Sequence, residues 1–249
     1  MVRTAWRIFR WLLRRGNRRW SLLIIILLGM GLFATVGRWW LRDSPTQADL
    51  GRWLRDPSSR DSLETHLTAP CPNAPFLLPS QGFVGFLYND HTPPYTPVNP
   101  HPGVDIFGNG EVGTVPVYAA YDGYLTRLPS WKSAVIIRIP HDPLDESRQI
   151  WTYYTHMASL DGAASFISAE FPAGTSEKFV KQGTLLGYQG LYTGNASRIA
   201  MHVHVSVVLS DADGSFRNES IFENTLDPSP YFGLTLNAAN AVTLPVRCR

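Results

Sequence analysis

Thiols and charges are both scarce in this chain. Its only two cysteines, Cys71 and Cys248, stand far apart in 249 residues, and neither has the C-x-x-C spacing of a thiolate zinc site. Cys71 also lies well beyond the apolar N-terminal segment and lacks the small-residue context of an acylated cysteine. Charged residues make up 17% of the chain and the formal net charge is only +2, with no basic surface expected on the body of the protein. That excludes a nucleic-acid partner. No internal repeat or low-complexity tract is present. Beyond Gly82 no long stretch has a 3.6-residue apolar period, so long amphipathic helices are not expected there.

Long apolar runs are also rare, with one exception. Residues 20–37 carry no charge and include Leu22-Leu23-Ile24-Ile25-Ile26-Leu27-Leu28, about the length of a bilayer-crossing helix. The basicity is concentrated just before it, in Arg3, Arg7, Arg10, Arg14, Arg15, Arg18 and Arg19. Trp20, Trp39 and Trp40 fall where an interfacial aromatic belt would lie. The expectation is a cytoplasmic basic segment over 1–19 and a single transmembrane helix over 20–41, with everything after it outside the membrane. A cleaved signal peptide is the alternative, but Thr35 and Gly37 are a poor version of its cleavage site. Residues 42–75 are polar and turn-prone, as in a stalk, with short helical turns possible from Ala48 to Leu54. A main domain over 76–235 and a C-terminal tail over 236–249 follow. Both cysteines then lie in an oxidising compartment, where a Cys71–Cys248 disulfide is expected.

From Gly82 onward, short apolar and aromatic runs alternate with Gly, Pro, Asn and Asp. The pattern predicts strands over 83–87, 104–107, 115–119, 123–128, 133–139, 150–156, 185–189 and 202–209. It also allows a short helix over 164–171 before Pro172 and a turn at 179–183 feeding a strand. Closely spaced strands with turn signals indicate a mainly β fold, an antiparallel sheet folded as a sandwich or open barrel.

In the strand 202–209, Val203, Val205 and Val207 alternate with His202, His204 and Ser206, so both imidazoles share a face. Their Cα atoms are then about 6 to 7 Å apart, close enough to serve one metal centre. The pair alone is a weak motif. A second candidate is His101-Pro102-Gly103-Val104-Asp105. In a straight strand its outer residues would stand about 13 Å apart, whereas a type II turn at Pro102-Gly103 would bring them together. Two histidines and a carboxylate are the protein ligands of many catalytic zinc sites. His156 ends another alternating strand. His66, His91 and His141 sit in loops and read as solvated. The sequons at Asn195 and Asn218 matter only in a glycosylating host.

Taken in order, several stretches resemble the M23 metallopeptidases of the lysostaphin and LytM type, cell-wall endopeptidases that cut peptidoglycan peptides. They are His101-x-x-x-Asp105, Gly113 to Ala120, Tyr154-Thr155-His156-Met157, Val180-Lys181-Gln182-Gly183 and His202-Val203-His204. The resemblance spans about residues 82–233 and implies zinc held by His101, Asp105 and His204, with His156 and His202 as catalytic histidines. It departs from the family at Met201, where many members have Pro, and in local insertions over 130–147. It also makes Tyr95 a candidate analogue of a transition-state tyrosine and 88–100 a rim loop that tunes substrate choice. Two other readings fit the chain: a catalytically silent M23-like regulator of other wall hydrolases, and a metal-free peptidoglycan-binding module.

Overall fold

A computed structural model describes residues 26–31, 45–194 and 199–249. The chain divides into two compact units, residues 1–42 and 43–249. In the first unit, residues 26–31 are helical. The rest of the expected transmembrane helix 20–41, like the basic segment 1–19, lies outside the described residues. Among the described residues no helix is long and apolar enough to cross a membrane.

The second unit is mainly β and every strand pair in it is antiparallel. Its strands are β1 (Phe83–Gly85), β2 (Val104–Phe107), β3 (Pro116–Tyr118), β4 (Gly123–Thr126), β5 (Val135–Ile139), β6 (Ile150–Thr155), β7 (Lys178–Val180), β8 (Leu185–Tyr188), β9 (Val203–Leu209) and β10 (Thr225–Leu226). The main sheet runs β1-β2-β9-β6-β5-β4-β7, with β10 added beside β9, while β3 and β8 form a separate two-stranded sheet. Its ends, β1 and β7, do not pair with each other, so the sheet stays open. The eight strands expected from alternation are all present, trimmed at their ends. The region 164–171 is not helical: it bridges Ser165 to Ala158 and Ile167 to Gly187 and then turns, Phe171 N donating to Ser168 O at 2.9 Å. Its β-branched and aromatic residues take partners from neighbouring chain, which outweighs local helix preference.

β9 is the axis of the sheet. β6 pairs with it from Leu209 to His204, whereas its other edge is shared by β2 at Val203–Val205 and β10 at Val207–Val208. Val203, Val205 and Val207 are fully buried in the main core with Val104, Ile106, Ile137, Ile150 and Tyr154. The buried Tyr154 hydroxyl accepts the Ala120 N–H at 2.9 Å, which satisfies the one polar atom that this large side chain carries inward.

Residues 42–75 were expected to form a polar stalk, but the described part of this segment folds onto the domain. A first helix, α1 (Gln47–Arg55), and a short α2 (Arg60–Leu63) bury Leu50, Trp53 and Leu63 against Phe83 and Phe107. Leu50 and Trp53 are three apart and so share one helix face, which is the reason a nine-residue segment this polar still packs. The tail 236–249 is likewise part of the core, through Leu236 and Val246. A third helix, α3 (Ser229–Phe232), buries Tyr231 and Phe232. Cys71 and Cys248 form the expected disulfide, with Cα atoms 5.4 Å apart.

Candidate metal centre

Strand register brings the ligand candidates together. Asp105 on β2 lies directly opposite His204 on β9, and Thr155 of β6 flanks His204 on the other side. His101 precedes β2 and is fixed at both ends of its backbone, its N–H donating to Asp90 O at 2.9 Å and its carbonyl accepting from Asn89 N at 2.9 Å. The expected type II turn at Pro102-Gly103 is absent, because such a turn requires a positive φ at Gly103 and Gly103 is not among the positive-φ glycines. Gly103 is needed for another reason. A Cβ there would fall 2.3 Å from Val205 O, 2.6 Å from Ser206 Oγ and 2.9 Å from His204 Cε1. The glycine therefore lets the approach to β2 lie hard against β9.

Three atoms converge at the resulting point. His101 Nε2 lies 2.9 Å from His204 Nδ1, His204 Nδ1 lies 2.9 Å from Asp105 Oδ1, and Asp105 Oδ1 lies 3.3 Å from His101 Nε2. All three side chains are buried. The opposite ring nitrogens have other partners: His101 Nδ1–H donates to Leu87 O at 3.1 Å, and His204 Nε2 meets Ser206 Oγ at 2.7 Å. With both outer nitrogens protonated, the two inner nitrogens point lone pairs at each other and at a carboxylate oxygen. That arrangement is repulsive unless a cation lies among them. Ligand bonds of about 2.0–2.1 Å in tetrahedral geometry put neighbouring donors roughly 3.3 Å apart, near the spacing seen. His101, Asp105 and His204 thus form a group that could hold a metal ion.

The electrostatics agree. Burial pushes the Asp105 carboxyl up, but the surrounding imidazoles of His202, His101 and His204 more than offset it and hold it well below the usual carboxylate range. Burial pushes His204 down, but its hydrogen bond to Asp105 outweighs that and holds the ring above its ordinary value. The cluster therefore draws positive charge, and a proton and a metal ion would compete for the same lone pair.

The two other histidines stand beside this point. His156 directly follows β6 and its φ is +74°, a left-handed conformation that a non-glycine residue adopts only when its surroundings impose it. Its carbonyl accepts from Ala158 N at 2.8 Å and its Nδ1–H donates to Tyr192 O at 2.6 Å. The His202 ring is stacked on Phe107 at 4.9 Å, lies 4.4 Å from the His156 ring, and donates from Nδ1 to Ala200 O at 2.8 Å. His202 Nε2 stands 3.6 Å from Asp105 Oδ2. Burial and the neighbouring His202 push His156 down to about 3, and burial lowers His202 despite the attraction of Asp105. Both rings are therefore neutral near pH 7, each with Nδ1 engaged and Nε2 available as an acceptor.

The centre opens into a cleft of about 550 Å³, lined by His156, His204 and the loops that follow β1, β4, β8 and β9. Tyr95 is on this wall, its ring 4.5 Å from that of His101, and burial raises its hydroxyl pKa. His66 and His141 are exposed, as expected, and His91 is half-buried beside Asn89. Sequence reasoning missed Ser206 as the partner of His204, the aromatic row of Trp131, Tyr153 and Phe216, and Glu219. Ser206 was visible on the same strand face as the histidines. Tyr153 lies in the expected strand β6, but Trp131 comes from the loop after β4 and Phe216 and Glu219 from the loop after β9, where nothing local signals a shared cleft.

No family model matches the chain, and no curated protein matches it. Among solved structures, the catalytic domain of the antimicrobial peptidase lysostaphin from Staphylococcus simulans is similar at 21% identity, with a TM-score of 0.39 over 60% of this chain and 90% of that one. A variant catalytic domain of the prophage-encoded M23 protein EnpA from Enterococcus faecalis is similar at 22% identity, with a TM-score of 0.35 over 61% of this chain and 98% of that one. Csd3 of Helicobacter pylori is similar at 17% identity and a TM-score of 0.36, and the chain spans 35% of its length.

Proposed function

We propose that this chain is a zinc-dependent endopeptidase of the M23 type that hydrolyses peptide bonds in the crosslinks or stem peptides of peptidoglycan. On this reading residues 20–41 anchor it in the cell membrane, with residues 1–19 cytoplasmic and the domain outside. The observation that carries the proposal is the convergence of His101 Nε2, Asp105 Oδ1 and His204 Nδ1 within 3.3 Å of one another, beside a cleft lined by His204 and the neutral His156, whose ring lies 4.4 Å from that of the neutral His202.

His101, Asp105 and His204 would hold the ion, which supplies Lewis acidity to acidify a water and polarise the scissile carbonyl. Tyr192 O fixes His156 in the tautomer with Nε2 bare, and Ala200 O does the same for His202. Each ring can therefore take a proton at Nε2. Once protonated it becomes a donor, able to stabilise negative charge on the former carbonyl oxygen or to pass the proton to the leaving amine. Asp105 Oδ2, 3.6 Å from His202 Nε2, would favour the protonated form of that ring as charge develops. β2 and nearly all of β9 are buried on both faces, which keeps bulk water from the back of the centre.

The test pairs metal analysis with substrate digestion, using full-length protein supplied with zinc and purified peptidoglycan. Wild-type protein should retain one zinc and create new peptide termini, identified by mass spectrometry. His204→Ala should lose both metal and hydrolysis, whereas His202→Ala should keep most of its zinc and lose activity by about 10²-fold or more. Equal zinc loss in the two variants would overturn the assignment of roles. Zinc bound with no new termini would point instead to a silent regulator.

A further inference from the structure

Glu219 is the one carboxylate besides Asp105 that lines or touches the cleft among the described residues, and nothing in the site described above uses it. It sits in the loop between β9 and β10, at a turn held by its neighbours. Ser220 N donates to Asn218 Oδ1 at 3.0 Å, and Asn224 Nδ2 donates to Asn218 O at 2.9 Å. The carboxylate is therefore presented from a fixed backbone rather than from a free tip.

Its side chain is 19% exposed, and no lysine or arginine stands within salt-bridge distance of it among the described residues. Among the described residues its one neighbour able to carry a positive charge is Nε2 of His204, at 3.8 Å. That is too long for a hydrogen bond, and Ser206 Oγ already occupies this nitrogen at 2.7 Å. The carboxylate oxygens are thus left to whatever enters the cleft. A neutral peptide lying over Glu219 would strip water from the charge and return nothing, whereas a cationic group would pair with it.

We infer that Glu219 is a specificity-determining residue that selects substrates carrying a primary ammonium near the scissile bond. The inference rests on the peptidase reading above and adds a property of the substrate. The distance fixes where the ammonium must lie. Glu219 is one imidazole ring and 3.8 Å removed from the metal-facing nitrogen of His204, about two residue lengths of extended chain at 3.3–3.6 Å each. The ammonium is therefore carried by a residue within about two positions of the cut, either as a free α-amine or on an amine side chain. Trp131, Tyr153 and Phe216 form an aromatic wall in the same cleft, suited to the methylene stem of such a side chain.

The test uses full-length zinc-loaded protein and crosslinked peptides released from peptidoglycan, in three forms: all amines acetylated, only α-amines free, or only side-chain amines free. Wild-type protein should cleave one free-amine form with kcat/KM at least tenfold above the fully acetylated form, and which form it favours identifies the source of the ammonium. In Glu219→Gln the ratio should fall below about twofold with zinc content unchanged. Equal wild-type rates on all three forms, or a preference that persists in Glu219→Gln, would overturn the inference while leaving the peptidase reading intact. Parallel loss of zinc in Glu219→Gln would also overturn it, by showing that the carboxylate acts on His204. If wild-type protein cleaves none of the three, both readings fall.

Discussion

Replacing Gly103 by alanine adds one methyl group and tests whether contact between the β2 approach and β9 sets the geometry of the candidate metal centre. The new Cβ would lie 2.3 Å from Val205 O, a main-chain atom in the central strand, and 2.9 Å from Cε1 of the His204 ring. Carbon and carbonyl oxygen approach each other no closer than about 3.3 Å, so the two segments must separate by roughly 1 Å. His101 and Asp105 move with one segment and His204 with the other. Donor atoms now 2.9 Å apart would then stand near 3.9 Å, beyond the roughly 3.3 Å edge of a tetrahedral site. Overpacking of this kind costs about 1–3 kcal/mol, a fall in Tm of roughly 3–10 °C for a domain of this size. Misplacing the ligands should weaken zinc binding by about 10–100-fold, as losses of outer-shell support do. Competition against a fluorescent zinc chelator gives the affinity and thermal denaturation gives the Tm. A variant that binds zinc within about twofold of wild type and melts at the same temperature would refute the argument that this contact sets the ligand spacing.

Four further outcomes are expected. Reducing the Cys71–Cys248 bridge, which spans 177 residues, should destabilise the fold by up to about 5 kcal/mol on chain-entropy grounds, while zinc content of the folded fraction stays the same; two reactive thiols in denatured, unreduced protein would show that no bridge forms. Tyr231→Phe removes the hydroxyl that donates to buried Asp142 Oδ2 at 2.7 Å and should cost about 1.5–3 kcal/mol in urea unfolding; an unchanged midpoint would mean that Arg148 alone satisfies the carboxylate. His156 titrates near its ordinary 6.5 in the unfolded chain but near about 3 in the fold, so metal-free stability should decline as pH falls through that window, by up to about 1.4 kcal/mol per pH unit. An NMR titration of the folded metal-free protein giving a His156 midpoint near 6.5 would refute the burial argument. Finally, a cytoplasm-dependent reporter fused after Arg249 should be silent; an active one would refute the topology proposed from the basic segment.

The parts of the fold legible in the sequence were those where one strand face had to differ from the other. Val203, Val205 and Val207 against His204 and Ser206 is such a case, and the strand they predict is the axis of the sheet. β7 escaped because Lys178 and Phe179 are exposed and only Val180 faces inward, so no alternation marks it. β10 is two residues long and exists only by pairing with β9. The helical turns of α1 were expected, but its docking onto the domain was masked by its polar surface, since two residues, Leu50 and Trp53, account for its burial. The candidate group was legible in part: residue type and spacing singled out His101, Asp105 and the His202/His204 pair, the choice of His204 rested on the family resemblance, and the reason for Gly103 was not legible at all. Pro-Gly suggests a turn locally, whereas the constraint comes from Val205 and His204, a hundred residues away. Glu219 belongs to the same class, because its place in the cleft depends on how the loop after β9 folds back.

The disulfide has a consequence of another kind. All ten strands lie between Cys71 and Cys248, so the bridge turns the whole sheet and every loop around the cleft into one covalent ring. A single proteolytic cut in any of those loops opens the ring into a line without releasing a fragment. The nicked protein should run as one species on a non-reducing gel and as two after reduction. Exposed cleft loops can therefore be cut once, by a neighbouring protease or by a second copy of this chain, and both pieces stay attached to each other.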